Sequence, residues 1–308
     1  MVRACRAAGS PAAHCSRGRA VPVGEKIAVV TDTNSGIMAE EAERLGVSVV
    51  PMPFVVNGRE YFEGVSLDAE QFYAQQEAGV NIVTSQPSIV DLGRRWGELL
   101  KAYDSLIYIP MSSGLSGSCE TARTLAEHCD GRVLVVDNQR ISVTQREAVL
   151  DALAWIRAGK SASEVHDLLE RTKLEASIYL MVDTMDHLRK SGRITSAAAT
   201  VGSVLKIKPV LQIQGEKLDA FTVAKSLKAA KRAMVKALAN DIEQRFGSVE
   251  NVHLYVAHTN RDDDAQAFAE EVRAHFGTDD VYLDRLPLSI ACHVGPGALG
   301  IGCTKKQV

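Results

Sequence analysis

No continuous apolar stretch in this 308-residue chain reaches the roughly 18 residues that a membrane span requires, so no transmembrane segment is expected. The six cysteines (Cys5, Cys15, Cys119, Cys129, Cys292 and Cys303) form no CxxC pair, and no Cys/His cluster has zinc-ligand spacing. Free, reduced thiols in a cytoplasmic protein without a metal are expected. Basic excess is also missing: 35 Lys plus Arg stand against 38 Asp plus Glu, a formal net charge of -3 that gives no overall attraction to nucleic acid or anionic lipid. Neither GxxxxGK[ST] nor a GxGxxG after the first strand occurs, which leaves nucleotide binding with little support. Residues 1–24, rich in Ala, Arg, Gly and Ser, lack the apolar core of a secretory signal and are expected to be a disordered tail or the product of an early start codon.

What is present reads as a folded protein. With 46% hydrophobic and 24% charged residues, the composition is that of a globular chain, and the length suits two domains or one large one. From Lys26 the run IAVVTDTNSG predicts a strand entering a helix over 37–45. The same grammar recurs at SLIYIP (105–110), followed by a helix reaching residue 128, and at RVLVV (132–136), followed by a helix over 142–158. Repeated strand, loop and helix units with wholly apolar strands predict a parallel sheet covered on both faces. Between them VSVVPMPFVVNG and REYFEG flank Asn57-Gly58, a strong hairpin signal, and helices are expected at 68–77 and 88–103. A polar amphipathic helix over 161–173 closes this half. The second half begins at SIYLMVD and continues through LKIKPVLQIQ, KLDAFTV, a helix over 226–244, NVHLYVAH, a helix over 262–276, VYLDRL and LSIACHVGPGALGIG. The expected fold is therefore α/β in two domains: a parallel-sheet domain over 25–173 and an α/β domain with a mixed or antiparallel sheet over 174–308.

Three hydroxyl-rich loops stand out: Thr31-Asp32-Thr33-Asn34-Ser35-Gly36, Thr84-Ser85-Gln86-Pro87-Ser88 and Ser112-Ser113-Gly114-Leu115-Ser116-Gly117-Ser118. Each precedes an expected helix, and helix capping alone accounts for any one of them. Two or three meeting at the C-terminal edge of one sheet would instead make a site for a small anionic or polar group. Gly114 to Ser118 approximates a nucleophile elbow but ends in Ser118 rather than Gly, and a hydrolase would need His293 and an acid such as Asp32 in register. In LRKSGRIT, Gly192 turns the backbone between two helices and Arg193 offers a planar donor fork suited to a carboxylate, or a merely solvated cation. His293 is expected where an apolar strand ends in the glycine-rich HVGPGALG, and the other histidines read as structural or exposed.

The order TDTNSG, TSQPS, SSGLSG, LRKSGRIT, LKIKPVL and HVGPGALG, from Lys26 to the C-terminus, resembles the DegV family of bacterial fatty-acid-binding proteins. The resemblance implies two α/β domains with a long-chain fatty acid between them, its tail in an apolar tunnel and its carboxylate held by hydroxyls. It makes Thr84 and Ser116 the direct carboxylate donors and Arg193 and His293 outer members of the same polar network. Thr33, Ser85, Ser113 and Gly114 are implied as further pocket residues. Several members are the acyl-carrying subunit of a fatty acid kinase whose separate ATP-binding subunit forms an acyl phosphate for phospholipid synthesis. That implies no catalytic residue and no cofactor here beyond the fatty acid ligand, with a kinase subunit as partner and transient membrane contact for lipid exchange. Lys225 and Lys228 fall where the family often has Arg and contacts the kinase, and Ser191 replaces a Gly common before Gly192. A serine esterase or thioesterase using Ser116 and His293, and a lipid-sensing protein without a kinase partner, remain as alternatives.

Overall fold

The IAVV and LIYI runs are apolar at every position, and the fold covers both of their faces. The computed structural model describes residues 24–199, 207–215 and 217–307. In chain order the first half runs β1 (Ile27–Asp32), α1 (Ala39–Leu45), β2 (Ser48–Val50), β3 (Pro53–Val56), β4 (Arg59–Phe62), α2 (Ala69–Glu77), β5 (Ile82–Thr84), α3 (Ile89–Leu99), β6 (Ser105–Ile109), α4 (Ser118–Ala126), β7 (Val133–Val135), α5 (Val143–Arg157) and α6 (Ala162–Arg171). Strands β2-β1-β6-β7 form a parallel sheet in that order. Because strand side chains alternate, Ile27, Val29, Ile107 and Ile109 pack on α5 and α6, while Ala28, Val30, Leu106 and Tyr108 pack on α3 and α4 around Trp96. Each fully buried aliphatic side chain contributes roughly 1.5–3 kcal/mol, so this two-sided burial anchors the loops at the sheet's C-terminal edge.

The segment between β2 and α3 leaves that sheet. Asn57 (φ 50°) and Gly58 (φ 79°) take the paired positive φ values of a type I′ hairpin turn, joining β3 and β4 antiparallel as expected. Strand β5 adds to the other edge of β3, giving a small antiparallel sheet, β4-β3-β5. TSQPS therefore leaves this small sheet, whereas the other two hydroxyl loops leave the parallel one. The expectation of three loops on one sheet edge is corrected accordingly.

The second half runs β8 (Ala176–Met181), α7 (Asp186–Ser191), α8 (Ser196–Ala199), β9 (Lys208–Ile213), β10 (Asp219–Ala224), α9 (Leu227–Asp241), β11 (Val252–His258), α10 (Asp262–Phe276), β12 (Val281–Arg285), α11 (Leu288–Val294) and β13 (Leu299–Lys305). They build a six-stranded mixed sheet, β10-β9-β8-β13-β11-β12, in which only the β11–β12 pair is parallel. The tail through residue 23, the start of LKIKPVLQIQ at residues 205 and 206, and Glu216 lie outside the described residues. Two sequence expectations change here. LSIACHV forms helix α11 rather than a strand, since a short apolar run carries no period that separates the two and the buried Glu63 carboxylate accepts its first amide, Leu288 N. The following LGIGCTK becomes β13, a central strand between β8 and β11.

One face of the mixed sheet packs on α9 and α10 through Met234, Leu238, Phe268 and Val272. Its other face, with Leu180, Leu211, Tyr255 and Ala257, turns toward α7, α11 and the first-half residues Met111, Leu115, Ile141 and Val143. The site lies in this second layer.

Candidate functional site

Helix α11 packs against the first half and so helps to join the two halves. Its Leu288 and Ala291 pack with Phe54, Phe72 and Tyr73 of the small sheet and α2, Cys292 Sγ lies 3.3 Å from the Ile82 carbonyl, and Gln76 donates to the Ala291 carbonyl at 3.5 Å. This docking places His293, in the last turn of α11, so that its Nε2 lies 2.9 Å from Thr84 Oγ1 at the end of β5. Burial, with Arg193 adding to it, pushes the imidazole down to about 4, so it is neutral at pH 7. A neutral imidazole that donates Nε2–H to Thr84 leaves the threonine hydroxyl proton free for an incoming acceptor.

The Ser112 to Ser118 loop supplies a second hydroxyl. Ser116 Oγ lies 2.8 Å from Ser118 Oγ and accepts the Ser118 amide at 3.1 Å. With Ser118 as donor in the first contact, the Ser116 proton is also available. The TSQPS loop reaches the helix that follows the second hydroxyl loop through Gln86, whose Oε1 accepts from Thr121 of α4 at 3.2 Å. Gly192, at φ 67°, ends α7 in the left-handed conformation that glycine tolerates best. Arg193 follows and donates to the Ser191 carbonyl.

Thr84, Ser85, Ser116, Arg193 and His293 all line one cavity of about 190 Å³ between the two halves. The rest of its wall is mostly apolar and includes Met111, Leu115, Ile141, Leu286 and Ile290. Across the sheet floor, Ile213, Ile178, Gly302 and Tyr255 make one cross-strand row, and Leu211, Leu180, Gly300 and Ala257 the next. The two glycines leave the middle of that floor without side chains. A well-packed apolar cavity of ~150 Å³ already accepts benzene, so this one admits an apolar ligand.

Other sequence-predicted residues fall elsewhere. Thr33 does not line the cavity: its hydroxyl donates to Glu63 Oε2 at 2.8 Å and accepts the Met52 amide at 3.1 Å. Ser113 is turned to Asp137, donating at 2.6 Å, and the Gly114 amide donates to Ser112 Oγ at 3.3 Å, so neither reaches the cavity. The family resemblance implied these three through their motifs, and a motif's place in the fold does not determine where each side chain points. The hydrolase constellation does not assemble, because Ser116 pairs with Ser118, His293 with Thr84, and the buried Asp32 with Asn34, Gln145 and the Met111 amide. Lys225 follows β10 and Lys228 opens α9, both exposed and away from the cavity. Cys119, Cys129, Cys292 and Cys303 are free thiols. Among the described residues no group of His, Cys, Asp or Glu is arranged to hold a metal ion, and no helix is long and apolar enough to cross a membrane.

Asn34, Ser142 and Ser289 line the same cavity and were not foreseen. Asn34 sits in a loop the sequence made conspicuous, but Ser142 and Ser289 are isolated hydroxyls beside apolar residues, with no local signal. Glu63 was also missed. Burial pushes it up to about 7, and it binds Thr33 and the amide that opens α11.

A parallel sheet and a mixed sheet enclosing an apolar cavity, with hydroxyls, an imidazole and a guanidinium in its wall, define an α/β protein built around an interior amphiphilic space. The chain belongs to the DegV family. A family model described as an uncharacterised protein of the DegV family matches residues 26–306. A DegV domain-containing protein of Deinococcus radiodurans is 33% identical over 276 residues, covering 89% of this chain and 97% of that one. The structure described as fatty acid binding of a DegV family protein from Thermus thermophilus has a TM-score of 0.84 at 30% identity, covering 91% of this chain and 100% of that one. DegV from Bacillus subtilis, described as a fatty acid binding protein, gives 0.81 at 31% identity over 92% of this chain and 100% of that one.

Proposed function

We propose that this protein binds one long-chain fatty acid, with the tail in the apolar cavity and the carboxylate at Thr84 and Ser116, and presents that carboxylate to a separate kinase subunit in the cytoplasm. The observation that carries the reading is the wall of the cavity: apolar on the sheet side, with the Thr84–His293 pair, Ser116 and Arg193 in it. Burying a C16 tail removes roughly 15 methylene-sized units from water at about 0.8 kcal/mol each, on the order of 12 kcal/mol before the costs of association. A carboxylate leaving water needs donors to offset its desolvation, and two free hydroxyl protons beside a guanidinium supply them. The division of the chain into two domains near residue 173, between α6 and β8, belongs to the same proposal, with the ligand held between the domains.

Phosphoryl transfer on this reading is the partner's chemistry. The exposed Lys225 and Lys228 are the proposed contact to that subunit. Organic extraction of the purified protein followed by mass spectrometry tests the ligand: one fatty acid per chain is expected, and recovery of none after expression in lipid-replete medium would end the reading. Co-purification from a native lysate tests the partner. An ATP-binding kinase subunit retained by the wild type and lost in the Lys225→Glu, Lys228→Glu double variant is expected. Its absence favours a lipid-sensing protein that works alone.

A further inference from the structure

The polar side chains buried in the cavity wall are almost all partnered. Asn34 is bonded to Asp32 and to Ser289, and the Tyr255 hydroxyl donates to Glu147 at 2.9 Å and lies 2.7 Å from Thr304 Oγ1. Ser142 is different. It is 4% exposed, it lines the cavity, and its hydroxyl has no partner among the described residues. Its backbone, at φ 54° and ψ -137°, is in a region that glycine favours, yet the position holds a serine. The Ser142 amide donates to the Asn34 carbonyl at 2.9 Å and its carbonyl accepts from Arg146 N at 2.9 Å, so the strained backbone is held from both sides. The N-terminus of the 15-residue helix α5 begins at the next residue, and Ser142 makes no capping bond to it. A buried hydroxyl that the protein leaves unpaired costs free energy unless a ligand or a water supplies its partner.

Helix α11 connects the surroundings of Ser142 to the head-group site. Ser289 and His293 are one helical turn apart, about 6 Å along the axis, and Asn34 links Ser289 to Ser142. We propose that Ser142 is a second ligand-binding residue, which hydrogen-bonds an oxygen substituent, a hydroxyl or carbonyl, on the chain of an oxygenated long-chain fatty acid. This rests on the fatty-acid reading above and narrows its substrate class. An unsubstituted chain leaves the serine hydroxyl unpaired against methylenes, whereas an oxygenated chain pairs it and has its own hydroxyl satisfied.

The test is competition binding on the delipidated full-length protein, comparing hexadecanoic acid with the tightest-binding hydroxy acid from a series of monohydroxyhexadecanoic acids substituted along the chain. In the wild type the hydroxy acid is expected to bind at least as tightly as the plain acid. In Ser142→Ala the ratio is expected to shift against the hydroxy acid by about tenfold. Ser142→Gly, which removes the hydroxyl and relieves the backbone, gives the same shift and covers the case in which the alanine variant fails to fold. A wild-type ratio that disfavours the hydroxy acid as strongly as either variant does, as when water alone satisfies Ser142, overturns the inference and leaves fatty acid binding intact. Failure of both acids to bind overturns the fatty-acid reading and this inference together.

Discussion

Thr84→Val is the sharpest probe of the head-group site. Valine keeps the shape of threonine and replaces the hydroxyl with a methyl. The Thr84 Oγ1 to His293 Nε2 contact of 2.9 Å is lost, and so is the hydroxyl proton that contact leaves free for a carboxylate. A hydrogen bond to a charged group is worth about 1.5–3 kcal/mol, which is roughly ten- to 150-fold in Kd. The assay is displacement of a fluorescent fatty acid from delipidated protein by hexadecanoic acid and, separately, by hexadecanol. The alcohol has the same tail and no charge, so its affinity is expected to fall much less than that of the acid. Thr84→Ser restores the hydroxyl and is expected to recover most of the loss. Combining Thr84→Val with Ser116→Ala tests whether both hydroxyls serve one group: losses on the acid that depart from additivity by more than about 0.5 kcal/mol indicate a shared ligand atom or network. Binding of the acid by Thr84→Val within about twofold of wild type, or equal losses for acid and alcohol, would refute the carboxylate placement.

Three further outcomes follow from the same geometry. Ala257→Leu projects a larger side chain beside Gly300 on the cavity floor, so it is expected to weaken long acyl chains more than short ones in a chain-length series, and an equal loss for all lengths counts against the floor as the tail's path. Glu63 holds its proton up to about 7 in the folded protein, above its ordinary 4.5, so the folded state binds more protons than the unfolded chain between these values. The stability this contributes is present below about 4.5 and is lost as pH rises through about 7. In urea denaturation Glu63→Gln should therefore gain on the wild type between pH 5 and pH 8, and a constant difference would contradict the burial argument. His293 has the opposite sign, because its folded value of about 4 lies below the ordinary 6.5. Its contribution is complete above about 6.5 and declines as pH falls toward 4, and its imidazole NMR signals should not titrate between pH 6 and 8. A titration midpoint near 6.5 would show that His293 is solvated.

Much of the fold was legible because local chemistry dictates it. The wholly apolar IAVV and LIYI runs, the Asn57-Gly58 turn and the amphipathic α10, whose bounds of Asp262 to Phe276 match the expectation, each carry their conformation within a few residues. The family motifs were equally visible. Thr84, Ser116, Arg193 and His293 were all nominated from them, and all four line one cavity.

The remainder was decided in three dimensions. LSIACHV has no internal period that tells a helix from a strand, and its helical form is held by Glu63, 225 residues away in sequence. Thr33 and Ser113 share loops with cavity residues but turn to Glu63 and Asp137, because burial of those carboxylates requires donors more than the cavity does. Ser142 and Ser289 are single hydroxyls in apolar surroundings, and only the meeting of α5, α11 and the Asn34 loop makes them neighbours. Periodicity and turn chemistry are properties of adjacent residues, so the sequence alone determined the elements. Which polar atoms share a cavity depends on contacts between segments more than a hundred residues apart, and that only the tertiary structure could decide.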